Sequence, residues 1–186
     1  ICKGEDKDIQ ILKELHFPHS VGLLYSAFTY YLGFRVNSGE YKLMGLAPYG
    51  IEESEETKLF TEKIKSEVVD IKDDGSIFLN QKYFKYTYGL RMIKENKFKS
   101  LFGFNTRKEQ EEITQTHCNM ALAIQKVTEE IVIKMVQETK KLTNSNNLCL
   151  SGGVALNCVA NGKIDELGIF ENIYIQPASG DPGGSL

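Results

Sequence analysis

The 186-residue sequence lacks the markers of several common classes of protein. No apolar run approaches the roughly 20 residues that a membrane-spanning helix needs, and no signal peptide stands at the start. The net charge of −3 provides none of the bulk positive charge with which a protein coats nucleic acid. We therefore expect a folded cytoplasmic protein without a membrane or nucleic-acid partner.

Several motifs that are recognised by their spacing are also missing. The histidines and cysteines are His16, His19, His117, Cys2, Cys118, Cys149 and Cys158. They form no HExxH and no CxxC, so the cysteines are expected to be buried free thiols. No GK[ST] completes a Walker A loop, and no GxGxxG is present.

Composition and length favour a globular chain that belongs to something larger. At 41% hydrophobic and 25% charged residues, the chain can build a real core. It opens on Ile1 without an initiator methionine and stops at Leu186, just after a glycine-rich turn. We expect a single partial domain over residues 1–186, cut from a longer protein that continues on both sides.

Two helices are predicted in the first third of the chain. Ser20 can cap a helix over Val21–Leu32, whose apolar residues occupy most of its circumference, and Gly33 is a plausible stop. A run of glutamates at 52–56 opens a second helix that ends near Val69. Acidic residues in a first turn favour the positive end of the helix dipole, so the run needs no functional explanation.

The longest predicted helix starts at Thr106 and runs toward Leu142. Thr106 with Glu109 matches a capping box, and apolar residues then recur at three- and four-residue spacing from Ile113 onward. His117 lies on that apolar stripe. We therefore interpret it as a core or boundary histidine rather than a ligand.

A basic and aromatic window covers residues 82–108. It holds eight Lys or Arg, seven aromatic residues and one acid, Glu95. Cations interleaved with rings are what a surface for single-stranded nucleic acid requires. The alternative is a partly buried segment whose aromatic rings pack into the core and whose lysines stay in contact with solvent. We favour the alternative because the surrounding chain is acidic and no recognition module is visible.

The last forty residues read as a strand, a crossover helix and a second strand. The predicted strands are Leu148–Leu150 and Asn172–Gln176, the turn between strand and helix is Gly152-Gly153, and the helix is Val154–Leu167. A crossover of this length implies that the two strands are parallel neighbours in one sheet.

We expect a ligand-binding site at the edge of the sheet where these two strands end. Gly152 and Gly153 let the backbone approach a ligand, and a helix N-terminus favours an anion. Asn157, about one turn into the helix, can offer an amide donor and acceptor. Asp181 follows the second strand at the same sheet edge, where it suits a divalent cation beside nucleotide phosphates. A structural Asp that caps the next helix is the competing interpretation.

Several segments, taken together and in order, resemble one known family. They are Phe17–Thr29, Glu40–Gly50, Phe102-Gly103 with Arg107, Ala121–Glu130, Ser151–Asn157 and Gly180–Gly184. These segments are similar to the family of O-carbamoyltransferases that includes nodulation protein U and the cephalosporin and tobramycin tailoring enzymes.

The resemblance implies an α/β fold of the actin-like ATPase or ribonuclease H-like type, with this chain as the second lobe of its nucleotide-binding domain. It implies that ATP and carbamoyl phosphate give a carbamoyl-adenylate. The carbamoyl group then passes to a hydroxyl of a sugar, Nod-factor-like or antibiotic acceptor. By the same resemblance, Gly152, Gly153 and Asn157 contact nucleotide, and Asp181 ligates a divalent metal of the iron type.

Departures from the family pattern leave other functions open. The paired histidine ligands of the family (HxxxH) and its C-terminal domain are absent, so this chain alone is expected neither to hold iron tightly nor to turn over. His19 and Lys42 receive no assigned role. The alternatives are a transferase of the tRNA threonylcarbamoyl-adenosine type, with residues 82–108 as its RNA surface, and a non-catalytic nucleotide-binding module.

Overall fold

A computed structural model describes residues 1–180, which form an α/β protein with short sheets. The strands and helices, in chain order, are β1 Cys2–Glu5, β2 Asp8–Ile11, α1 Val21–Tyr31, α2 Glu40–Leu46, α3 Glu55–Lys63, β3 Val69–Ile71, β4 Ile77–Leu79, α4 Glu95–Phe102, α5 Gln115–Thr143, β5 Asn147–Leu150, α6 Cys158–Glu166 and β6 Asn172–Ile175. The α/β class expected from the sequence is confirmed. Within residues 1–180, no helix is long and apolar enough to cross a membrane.

The chain divides into two compact units. The first contains residues 1–17, 72–76 and the described residues from Glu129 onward, and the second contains Pro18–Ile71 and Ile77–Thr128. Helix α5 passes from the second unit into the first. Compact units within a chain can belong to one domain, so the expected single partial domain stays a prediction.

Helix α1 is the buried centre of the second unit. It begins at Ser20, whose hydroxyl accepts the Leu23 N–H at 3.3 Å. Leu24 and Phe28 are fully buried. Gly33, at φ +74°, ends the helix, and a Cβ there would lie 2.4 Å from the carbonyl oxygen of Arg107. The predicted cap, burial and stop are therefore confirmed.

Four of the seven aromatic residues of the window 82–108 pack inward, while Tyr88 is 66% exposed. Tyr83, Phe84, Phe98 and Phe102 are each at most 5% exposed. The Phe98 ring lies 5.4 Å from the ring of Phe28 and contacts α1 in this way. The lysines of the window are exposed or half-buried. The structure thus supports the packing interpretation, and rings committed to a core cannot stack on bases.

Helix α3 begins later than the glutamate run suggests. Ser54 caps it by accepting the Thr57 N–H at 3.1 Å, so the glutamates before Ser54 precede the helix. A π-helical turn, Ile64–Val68, follows α3 and leads directly into β3. The predicted end near Val69 is confirmed.

The start predicted for the longest helix is wrong. Helix α5 begins at Gln115, and Thr114 with His117 occupies the place expected for Thr106 with Glu109. The imidazole Nδ1 of His117 accepts the backbone N–H of Thr114 at 2.9 Å, which is the reciprocal contact of a capping box. The apolar stripe inside the helix is confirmed, since Met120, Ile124, Val127 and Ile131 are fully buried.

Arg107 explains why the helix does not start earlier. Its guanidinium donates to the carbonyl oxygens of Glu109 at 3.3 Å and Glu111 at 2.5 Å, while the Lys108 N–H donates to the Glu111 carboxylate. These bonds hold residues 107–111 in a non-helical loop. Ile113 precedes the helix and is 42% exposed, so it does not belong to the stripe.

His117 should make the stability of the fold depend on pH. Burial lowers its pKa, and the nearby charge of Arg107 lowers it further, against weaker effects of Glu111 and Glu56. A depressed folded pKa means that the stabilisation is present above the ordinary pKa of about 6.5 and is lost as pH falls through the folded value. We expect the free energy of unfolding to fall over that window.

The variant His117→Gln tests this expectation. Glutamine at this capping-box position can accept the same Thr114 N–H without titrating. Denaturant unfolding at pH 5 and pH 8 should show a smaller pH difference for His117→Gln than for the wild type. His16→Gln, at an exposed histidine, is the matched control and should keep the full pH difference.

The first unit contains the parallel strand pair predicted near the C-terminus. Strands β5 and β6 pair in parallel, with Leu148 opposite Ile173 and Leu150 opposite Ile175. Leu148 packs with Val136, Ile164 and Phe170, which belong to α5, α6 and the loop before β6. The predicted strand, crossover helix and strand are confirmed, and both strands run toward the same edge.

Candidate functional site

The turn after β5 is held to the loop after β6. Gly152 has φ +93° and ψ 166°, a conformation essentially restricted to glycine. Its N–H donates to the carbonyl oxygen of Ser179 at 2.7 Å. The two loops therefore meet at one edge of the parallel pair, as the strand order predicts. Because this N–H is already bonded, it is not a donor for an anion.

Asn157 lies outside the helix that was expected to contain it. Gly153–Leu156 forms a 3-10 turn, and α6 starts only at Cys158. The Asn157 Oδ1 atom accepts the Ala160 N–H at 3.1 Å, which makes Asn157 the N-cap of α6. A short side-chain oxygen suits this position, and the expected continuous helix from Val154 is wrong for that reason. Contact between Asn157 and a nucleotide stays a prediction.

Two variants separate the capping and binding roles of Asn157. Asn157→Ala removes the cap and should lower the free energy of unfolding by about 1 kcal/mol. Asn157→Asp keeps an oxygen acceptor at the helix N-terminus and should recover at least half of that loss. If Asn157 also binds nucleotide through its amide, Asn157→Asp should bind ATP more weakly than the wild type even though its stability has largely recovered. Thermal unfolding with and without ATP measures both effects.

Ser179 is a polar residue at this edge that sequence reasoning missed. It is 5% exposed, and its Oγ atom has no hydrogen-bond partner within the described part of the chain. The nearby Gln176 Oε1 is also buried without a partner there. A buried unpaired polar atom costs about 1–3 kcal/mol, so it commonly marks a place that a ligand or water completes. Only the three-dimensional structure reveals this signal.

The metal site expected at this edge is not formed by the described residues. Asp181 lies outside them. Among residues 1–180, no three His, Cys, Asp or Glu side chains are grouped closely enough to hold a metal ion. A transition metal normally needs about three protein donors, so Asp181 alone would not suffice. The divalent metal therefore stays a prediction, and we derive no step through it.

His19 and Lys42 occupy different environments in the second unit. The His19 Nδ1 atom accepts the Leu79 N–H at 3.0 Å, and its ring lies 4.1 Å from the ring of Phe78. In the neutral ring, Nε2 then carries the proton. Lys42 is exposed on α2 and lines a cleft with Arg107.

Comparison with known families identifies the chain. Residues 2–186 match the family model described as the carbamoyltransferase N-terminus. The chain belongs to this family. The family resemblance seen in the sequence is therefore confirmed.

Three relatives are much longer than the chain. It is 52% identical over its whole length to an uncharacterised protein of Synechocystis, of which it covers 29%. It is 32% identical to nodulation protein NolNO of Sinorhizobium fredii over all of the chain and 25% of that protein. It is 33% identical to nodulation protein NolO of Bradyrhizobium diazoefficiens over 95% of the chain and 29% of that protein. The chain thus spans less than a third of each.

Proposed function

We propose that the chain is part of the nucleotide-binding lobe of an O-carbamoyltransferase with an actin-like, ribonuclease H-like fold. ATP, carbamoyl phosphate and one water molecule give a carbamoyl-adenylate, pyrophosphate and phosphate. The carbamoyl group then passes to a hydroxyl of a small acceptor such as a sugar, a Nod-factor-like molecule or an antibiotic, and AMP and the hydroxyl proton are released. ATP is a co-substrate, and Asp181 contributes to a divalent metal site that needs further ligands.

The bond between Gly152 and Ser179 is the observation that supports this proposal most directly. Ligands of open α/β sheets bind beyond the carboxyl ends of neighbouring strands. The bond brings the loops after β5 and β6 together at that edge. Membership of the carbamoyltransferase N-terminus family supplies the reaction class.

Three residues at this edge have different proposed roles in binding ATP. Gly153 has no atom within 4 Å of a would-be Cβ, so a ligand can approach its backbone closely. Asn157, as the N-cap, lies where the dipole of α6 favours a phosphate. The buried Ser179 hydroxyl can donate to a phosphate oxygen and so gain the partner that it lacks among the described residues.

The variant Ser179→Ala tests the assignment. Since the hydroxyl is buried without a partner in the described structure, its removal should not lower the free energy of unfolding and should raise it by up to about 1–3 kcal/mol. Loss of a hydrogen bond to a phosphate should raise the KM for ATP by about tenfold. Pyrophosphate release is measured with the full-length protein, ATP and carbamoyl phosphate. Ser100→Ala, at an exposed serine of α4, is the control.

Two outcomes would contradict the proposal. An unchanged KM for ATP in Ser179→Ala would show that the Ser179 hydroxyl does not contact ATP. ATP binding by the full-length protein without carbamoyl phosphate-dependent release of pyrophosphate would indicate a nucleotide-binding module instead of a transferase.

A further inference from the structure

The second unit contains a cleft that the proposed function does not use. Its volume is about 670 Å³, and it is lined by residues of the segments 33–42 and 107–113. Small-molecule sites commonly measure about 300–1,000 Å³. The first segment follows α1 and enters α2, and the second is the loop before α5. The cleft is therefore large enough to hold a metabolite.

Arg107 lines this cleft as a buried cation. It is 6% exposed, and its Nε atom donates to the Leu32 carbonyl oxygen at 2.7 Å. Its Nη1 atom donates to the carbonyl oxygens of Glu109 and Glu111. Within the described residues, no carboxylate pairs with Arg107, and its Nη2 atom has no hydrogen-bond partner. The guanidinium carbon also lies 5.1 Å from the centre of the Phe34 ring, which covers part of the group. Since buried charges are normally paired and no carboxylate pairs with this one, an anion at Nη2 would complete its environment.

The rim of the cleft adds two further cations. Arg35 and Lys42 are both exposed and line the same cleft. The lining carboxylates are Glu109 and Glu111, and that of Glu111 already accepts the Lys108 N–H at 2.9 Å. Three cations against two carboxylates leave the lining with an excess positive charge of one. The charge of the cleft therefore favours an anionic ligand.

The loop that carries Arg35 is fixed before any ligand binds. The Glu40 carboxylate accepts the N–H groups of Asn37 at 3.0 Å and Gly39 at 3.1 Å, and the hydroxyl of Ser26 at 2.7 Å. A Cβ on Gly39 would lie 2.6 Å from the Arg35 carbonyl oxygen, so the loop closes tightly. A loop that is already ordered loses little entropy when a ligand binds.

We propose that this cleft binds a small molecule through a phosphate or carboxylate group, which contacts the guanidinium of Arg107 and is flanked by Arg35 and Lys42. Because Nε and Nη1 already donate to carbonyl oxygens, Nη2 is the atom that donates to an oxygen of the phosphate or carboxylate. The ring of Tyr41, 63% exposed, lines the same cleft and can cover an uncharged part of the ligand. This binding does not require that the chain transfer carbamoyl groups.

The test is titration of the purified protein with inorganic phosphate and, separately, with acetate, followed by NMR at constant ionic strength. The variant is Arg35→Gln with Lys42→Gln, and the control is Lys97→Gln with Lys99→Gln, which removes equal charge from exposed positions of α4. Saturable binding should weaken at least about tenfold in the variant and stay within about twofold in the control. The stronger of the two anions identifies the ligand group.

His117 provides a second readout within the same unit. The charge of Arg107 contributes to its lowered pKa, so an anion on Arg107 should raise the titration midpoint of the His117 ring. The rise should occur in the wild type and the control, and not in the Arg35/Lys42 variant. Equal responses in all three proteins, or no saturable response to either anion, would overturn the proposal.

Discussion

Replacing Arg107 by methionine should lower the free energy of unfolding by about 3 kcal/mol. Methionine keeps most of the buried aliphatic stem but removes every donor. The carbonyl oxygens of Leu32, Glu109 and Glu111 would then lose the partner that the guanidinium supplies. Since Arg107 joins the end of α1 to the loop before α5, the loss should affect the core of the second unit.

Two further variants give this prediction its controls. Arg107→Lys keeps the charge but has one ammonium in place of a planar fork, so its stability should be intermediate. Arg91→Met removes an exposed arginine that precedes α4 and pairs with Glu95 at its first position, and should cost about 0.5 kcal/mol or less. Urea unfolding followed by circular dichroism measures all three. Equal losses for Arg107→Met and Arg91→Met would show that the Arg107 bonds do not stabilise the fold.

Gly152→Ala should cost about 1–3 kcal/mol, while Gly153→Ala should change stability by no more than about 0.5 kcal/mol. No atom lies within 4 Å of a Cβ built on either glycine, so space does not distinguish them. Only Gly152 has a positive φ, at +93°. Its substitution should also weaken the bond from its N–H to Ser179, because that bond depends on the backbone conformation.

The same pair of variants separates folding from nucleotide binding. If the backbone of Gly153 approaches ATP, Gly153→Ala should raise the KM for ATP while its unfolding curve stays close to the wild type. Gly152→Ala should instead lower stability even without nucleotide. Unfolding curves of the two variants that coincide would contradict the conformational argument.

Patterns within one element predicted much of the fold. Ser20, the apolar circumference of α1 and Gly33 located that helix, because caps, periodicity and a glycine stop act over a few residues. The parallel pair β5 and β6 followed from the length of the crossover between them. The ends of α5 and α6 were predicted within one residue, but their starts were predicted wrongly. The capping box at Thr106 and the helix expected from Val154 were each outweighed by interactions that the local pattern does not contain.

In the candidate site, too, local patterns predicted some residues, while others depend on tertiary contacts. Gly152, Gly153 and Asn157 were predicted as nucleotide contacts from the sequence because a glycine turn after a strand has a local signature, and their contact with nucleotide stays a prediction. Ser179 was missed because nothing in its sequence context says that its hydroxyl is buried. Asp181 was predicted from the sequence and lies outside the described residues.

By itself, the sequence determined the family, because the order of motifs along the whole chain is specific to it. It also determined the burial of α1 and the glycine turn, since each of these depends on residues that are near one another in the chain. Tertiary structure alone decided the environment of Arg107, 75 residues from the carbonyl group of Leu32 to which it donates. It likewise decided that the Gly152 turn meets the Ser179 loop. Burial and long-range hydrogen bonds depend on which distant segments come together, and composition or spacing within one segment does not specify that.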